Sequence, residues 1–192
     1  MLDNLNKYHI ILASKSPRRR ELLAQLCIPF EVREADVKEV YPDTLEVHEI
    51  APFLSQLKGD AFRKEMHPGD LVISADTLVI CDGEAIGKPR DKEDAKRMLS
   101  FLSGKVHEVV SGVSITTAER RETFSVTTRV KFGSLSPEEI DWYVERFSPL
   151  DKAGAYGIQE WIGAVAVEFI EGSFYNVMGL PVHQLYKVLK RF

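Results

Sequence analysis

The sequence predicts an α/β fold in which a mixed, largely antiparallel sheet is flanked by helices. Three observations carry that prediction. Apolar strand-like runs and helix-period apolar stripes are interleaved along the whole chain. Turn signals such as Asp82-Gly83 join neighbouring strand runs directly, so hairpins supply much of the β content. Regular parallel crossover units are few, which disfavours a doubly wound parallel sheet.

Taken in order, residues 8–13 read as a buried strand. Ser16 can cap the next helix, and Pro17 suits its first turn because its missing N–H is not needed there. Leu22, Leu23 and Leu26 form the apolar stripe of that helix, which ends near Cys27. Residues 30–33 look like a short strand, and 34–42 an acid-rich loop. Asp43 or Thr44 is expected to open a long helix to about Met66, with Val47, Ile50, Ala51, Leu54, Leu57 and Ala61 facing inward. Residues 71–75 form a strand, interrupted by Asp76-Thr77 before a second apolar run at 78–81. Asp91 caps a helix to about Ser103, stopped by Gly104. Residues 106–117 and 122–132 alternate as the strands of a hairpin. Ser136-Pro137-Glu138-Glu139 is a capping box with proline at the first helical position, so a helix spans 137–147. A glycine-punctuated segment at 151–157, strands near 163–171 and a closing helix from Pro181 complete the chain.

The chain has 192 residues, 44% of them hydrophobic and 28% charged. That predicts one globular domain with room for two lobes. No run approaches the ~18 apolar residues of a membrane span. The N-terminus lacks an apolar signal core, and Cys27 and Cys81 have neither metal-type nor redox-motif spacing. A reduced, cytoplasmic setting is expected. The five histidines are scattered, so a histidine metal site is not expected. The net charge of −4 argues against general nucleic-acid binding, and any anion site must be a local basic pocket.

The stretch "ILASKSPRRREL" (11–22) is the candidate for such a pocket. Arg18, Arg19 and Arg20 fall in a helical first turn, where the helix dipole disfavours cations by about 0.3–1 kcal/mol each. Free N–H groups, dipole and guanidinium forks would together hold a phosphate there. A solvated basic turn is the bland alternative. Asp76, embedded in "VISADTLVI", is costly among apolar neighbours unless paired or ligating. At a strand end it would suit a Mg²⁺-type ion or a general base acting on water. Otherwise it is a hydrogen-bonded structural aspartate. Lys88 in "IGKPR" projects from a constrained loop and could reach a phosphate or simply be solvated. Lys58 lies on the predicted long helix near its buried border, where snorkelling is the ordinary explanation. Glu39 by itself is an undistinguished loop acid. In "DKAGAYGIQ" (151–159), small residues permit close ligand approach, and the Gln159 amide matches the edge of uracil or thymine. A flexible turn is the alternative there.

Together, ASKSPRRRELL (13–23), ADTLV (75–79), GKPRD (87–91), MLSFLSGKVHEVVSGV (98–113), LDKAGAYGIQ (150–159) and NVMGLP (176–181) resemble the Maf family of nucleoside triphosphate pyrophosphatases. The stretches fall in family order over nearly the whole chain; Met178 departs from the usual valine. The resemblance implies an elongated mixed sheet with a deep cleft, related to the inosine-triphosphate pyrophosphatases. It implies metal-dependent hydrolysis of a nucleoside triphosphate to the monophosphate and pyrophosphate, with Mg²⁺ or Mn²⁺. It also implies a cytoplasmic homodimer with a housecleaning role in the nucleotide pool. Carried onto this chain, the catalytic aspartate is Asp76. Phosphate and metal handling falls on Ser14, Arg18, Arg19, Glu39, Lys58 and Lys88, with Asp76 and Glu39 as metal ligands. Arg18, Thr77 and Gln159 resemble the selective positions of the dTTP/UTP-specific branch, whereas Arg20 matches no required position. A purine-selective or modified-nucleotide pyrophosphatase, and a non-catalytic nucleotide-binding regulator of cell division, are the rival readings. A nucleic-acid binder is disfavoured because no extended basic face with interleaved aromatics is present.

Overall fold

The computed structural model describes residues 1–34 and 37–192; Ala35 and Asp36 of the acid-rich loop lie outside that description. After a 3₁₀ turn come β1 (His9–Ala13), α1 (Pro17–Ala24), β2 (Glu31–Arg33) and α2 (Ile50–Asp60). The long strand β3 (Asp70–Cys81) leads through a tight turn into β4 (Glu84–Ile86), followed by α3 (Lys92–Leu102). Strands β5 (Val106–Thr116) and β6 (Arg121–Phe132) precede α4 (Pro137–Phe147). The chain closes with α5 (Trp161–Ala166), β7 (Val167–Glu171), α6 (Phe174–Met178) and α7 (Val182–Leu189).

The sheet is mixed, as expected. Its order among the described residues is β2-β1-β3-β5-β6-β7, with β4 beside β3. β1 runs parallel to both β2 and β3, Ala13 standing opposite Arg33 on one side and Ser74 on the other. β3–β4 and β6–β7 are antiparallel. The β5–β6 turn, closed by Thr117 N–H donating to Arg120 O at 2.8 Å, is too short for a parallel crossover. At the β3–β4 turn, Asp82 and Gly83 both take positive φ (52° and 81°), the two-residue hairpin that this dipeptide predicts.

The chain divides into two compact units. One comprises Met1–Thr77, Ser111–Val126 and Gly179–Phe192; the other comprises Leu78–Val110 and Thr127–Met178. In the first, Ile11, Ala13 and Val72 of the parallel strands pack with Phe62. A Cβ on Gly112 would overlap the backbone of Ala51 and Pro52, so this glycine lets α2 lie directly on β5. In the second, Leu99 and Leu102 of α3, Tyr143 of α4, Phe132 and Ile162 share one fully buried core.

Helix starts follow their capping signals. Ser16, Asp91 and Ser136 each accept from the backbone N–H three residues on, and Glu139 completes the Ser136 capping box. Three expectations need correction. The long helix from Asp43 or Thr44 to Met66 is instead α2 alone, preceded by a 3₁₀ turn. Pro52 cannot donate to a carbonyl four residues back, so it belongs in a first turn and forbids a helix running through it. Asp76 lies within one continuous strand, not at a strand end, because both apolar runs around it pair in the sheet. Of the residues expected to be extended near 163–171, 163–166 are instead the end of helix α5. There Gly163 packs so closely on the Ile158 carbonyl that a Cβ would overlap it.

Candidate active site

Most of the predicted site residues belong to the first unit. Beyond β1, the Ser14 N–H donates to Arg33 O at 3.1 Å and its hydroxyl accepts from Ser16 N–H at 3.2 Å. These contacts set the entry into α1, whose first turn sends Arg18, Arg19 and Arg20 about 100° apart around the helix. Arg20 is exposed and Arg18 half-buried. Arg19 turns inward. Its Nε donates to Gly179 O at 2.8 Å, Nη1 to Ala75 O at 2.8 Å and Nη2 to Thr77 Oγ1 at 2.9 Å. Burial lowers its pKa, opposed by the negative charge of Asp76. Carbonyl oxygens from two other segments thus answer one of the three charges that the helix dipole disfavours.

Thr77 is the hub of this face of β3. Its hydroxyl also meets Ser111 Oγ at 2.9 Å and Gly179 O at 3.3 Å. A hydroxyl has one donor and two acceptor sites, so donating to Gly179 O while accepting from Arg19 and Ser111 uses all three.

Asp76 points to the opposite face, as strand alternation requires. Two residues earlier on that face, Ser74 Oγ donates to Ser55 O of α2 at 2.7 Å. A Cβ on Gly59 would stand only 3.1 Å from Ser74 Oγ, so the absence of one lets α2 close onto β3. That approach delivers Lys58, on the last turn of α2, to Asp76. Lys58 Nζ forms an ion pair with Asp76 Oδ1, and Glu39 Oε1 joins at 2.9 Å. Asp76 and Lys58 are both buried, and the pairing is what makes a charge on either tolerable. The Lys58 charge also complements the C-terminal end of the α2 dipole.

Two carboxylates converging on one cation are a hard-oxygen donor set. It suits a Mg²⁺-type ion, which takes one or two carboxylates and fills its shell with phosphate oxygens and water. Among the described residues no group of three His, Cys, Asp or Glu is clustered for metal binding. The pair Asp76 and Glu39 fits an ion that completes its shell with phosphate oxygens and water.

Lys88 and Gln159 belong to the second unit. Lys88 is exposed between Gly87 and buried Pro89. The Gly87 carbonyl accepts from Gly154 N–H at 3.0 Å, which ties the Lys88 loop to the segment preceding Gln159. Gln159 is exposed on a turn closed by Glu160 N–H donating to Gly157 O at 2.9 Å, while residues 154–158 beneath it are buried.

The structure adds participants that sequence reasoning missed. Ser111 and the Gly179 carbonyl share Thr77. Tyr143, which lies in the helix predicted over 137–147 and has no role assigned from sequence, bonds the Gln159 turn. Asn176, quoted above only as the first residue of NVMGLP, is buried in α6, and its Nδ2 donates to Val109 O and Thr128 Oγ1, both at 3.0 Å.

A family model described as Maf-like protein matches residues 9–192. A relative from Phocaeicola vulgatus, named dTTP/UTP pyrophosphatase, is 53% identical over 192 residues, covering all of both chains. One of the same name from Christiangramia forsetii is 45% identical over 191 residues, 99% of this chain and 97% of its own. Among solved structures, a HAM1 protein from Coxiella burnetii matches 96% of this chain and 100% of its own, with a TM-score of 0.50 at 16% identity, a likeness of fold. With sequence similarity along the whole chain, and the six motif stretches distributed over both units, this protein belongs to the Maf-like family.

Proposed function

We propose that this protein is a nucleoside triphosphate pyrophosphatase that hydrolyses dTTP and UTP to the monophosphate and pyrophosphate. The observation that carries the reading is the full-length, 53% identity to a relative named for that reaction. In this reading Arg18, Arg19, Lys58, Lys88 and Ser14 bind the triphosphate. Three Arg19 donors are already spent on Gly179, Ala75 and Thr77, so Arg19 contributes its charge and its remaining N–H groups. Asp76 and Glu39 would hold Mg²⁺ or Mn²⁺, whose chemistry is to neutralise charge on the phosphate oxygens as pyrophosphate leaves.

Asp76 orients and deprotonates the water that attacks the α-phosphorus. Its contact with Lys58 holds the carboxylate in place until substrate draws the ammonium toward phosphate. Positioning and charge neutralisation supply the acceleration, with no covalent intermediate. Arg18, Thr77 and Gln159 select the pyrimidine nucleotide, Gln159 by pairing its amide with the carbonyl and N–H edge of the base. The housecleaning role, homodimer and cytoplasmic location follow the family resemblance, and the free thiols Cys27 and Cys81 support a reducing compartment.

The test is to incubate the protein with each canonical triphosphate, with Mg²⁺, Mn²⁺ or a chelator, and to identify products by phosphorus NMR. Pyrophosphate and monophosphate from dTTP and UTP, lost on chelation, are expected. Orthophosphate and a diphosphate would overturn the reaction type.

A further inference from the structure

The turn that presents Gln159 is held on both sides by one side chain. Gly157 N–H donates to the Tyr143 hydroxyl oxygen at 3.1 Å, and the Tyr143 O–H donates to Glu160 Oε2. The other Glu160 oxygen, Oε1, faces Lys152 Nζ at 3.2 Å, and Lys152 is buried. Tyr143 is fully buried and stacks on Phe147 with ring centroids 5.0 Å apart, so its hydroxyl is fixed in place. Burial and the neighbouring carboxylate raise the phenol's pKa, which keeps it a donor. The Glu160 carboxylate folds back over Gly157, where an added Cβ would stand 2.8 Å from it. One residue earlier, the Tyr156 hydroxyl bonds His107 Nε2 at 2.7 Å. Every residue from 156 to 160 except Gln159 is therefore anchored by its own packing or hydrogen bond, and Gln159 alone is exposed.

A buried phenol, a half-buried carboxylate and a buried ammonium around one short turn are more than a chain reversal needs. An ordinary turn of this length is closed by its backbone hydrogen bond and a glycine. The excess has a use if the residue at the tip must be held in one orientation, since holding a binding group in place lowers the entropy lost on binding.

We propose that Tyr143, with Glu160 and Lys152, is a positioning device for Gln159 and thereby sets the preference for a uracil or thymine base. The proposal rests on the dTTP/UTP reading and on Gln159 reading the base. Tyr143 touches no reacting atom and acts only through the turn.

The test compares kcat and KM for UTP and dTTP against CTP and GTP in the full chain. The variants are Tyr143→Phe, Glu160→Gln, Gln159→Ala and the double variant Tyr143→Phe/Gln159→Ala. Loss of the positioning hydrogen bonds in Tyr143→Phe should lower the preference for uracil and thymine nucleotides by about 3–10-fold, chiefly through KM, with kcat for UTP held within about twofold. Glu160→Gln keeps an acceptor for the phenol and should fall between wild type and Tyr143→Phe, which provides the readout if Tyr143→Phe does not fold. In the Gln159→Ala background, Tyr143→Phe should change the preference no further. An unchanged preference in Tyr143→Phe, beside a lost one in Gln159→Ala, overturns this proposal alone. So does an equal effect in both backgrounds. An unchanged preference in Gln159→Ala overturns the reading of Gln159 and this proposal with it.

Discussion

The guanidinium of Arg19 stands 2.9 Å from the Thr77 hydroxyl, and the two residues share the Gly179 carbonyl, at 2.8 Å from Arg19 and 3.3 Å from Thr77. Arg19 is thus a three-way tie between the first turn of α1, strand β3 and the loop before α7. Lysine has a single nitrogen and cannot reproduce a planar fork. Arg19→Lys should destabilise the protein by about 1–3 kcal/mol in urea unfolding, since Ala75 and Thr77 lose a charged donor. It should also weaken triphosphate binding.

Asp76 is held by Lys58 on the sheet face opposite that tie. Asp76→Asn keeps the size and removes the charge. It should lower kcat by about 100-fold or more, the range for loss of a general base. Near-normal steady-state turnover would remove Asp76 from the chemistry.

Gly112 is where α2 lies on β5. Gly112→Ala would put a methyl group into the Ala51 and Pro52 backbone, which cannot yield as a flexible side chain can. A destabilisation of about 1–3 kcal/mol or more is expected, read as a lower midpoint in thermal denaturation. Because α2 carries Lys58, activity should fall with it even below the melting temperature.

His107 is buried against Phe132 and Tyr156, and burial pushes its pKa down to about 4 from 6.5. The unfolded chain takes up a proton near pH 6.5, whereas the folded protein resists until about 4. The stability associated with neutral His107 is therefore intact above pH 6.5 and is lost as pH falls toward 4. The loss amounts to about 3 kcal/mol at most. Urea midpoints measured from pH 7 to 4 should fall with a steeper slope in wild type than in His107→Gln.

Features that depend on neighbours in sequence were legible before the structure. The caps at Ser16, Asp91 and Ser136 each join residues three apart, and the Asp82-Gly83 turn is set by two backbone conformations. Two expectations failed for different reasons, one local and one tertiary. A helical apolar stripe continued past Pro52 on paper, although the proline removes a backbone donor. Asp76 looked like an interruption because its charge was weighed without the Lys58 that neutralises it.

By itself, the sequence determined the fold class, most helix starts, the family and the residue types available for phosphate and metal chemistry. Tertiary structure decided what those residues do to one another. Lys58 meets Asp76 across 18 positions, and Arg19 meets the Gly179 carbonyl across 160. Tyr143 became an anchor of the Gln159 turn only when α4 packed against it. The physical reason is range. A cap or turn is fixed by torsions within a few residues, whereas a partner for a buried charge or hydroxyl is chosen by sheet order and helix packing. Those arise from the burial of the whole chain's apolar surface.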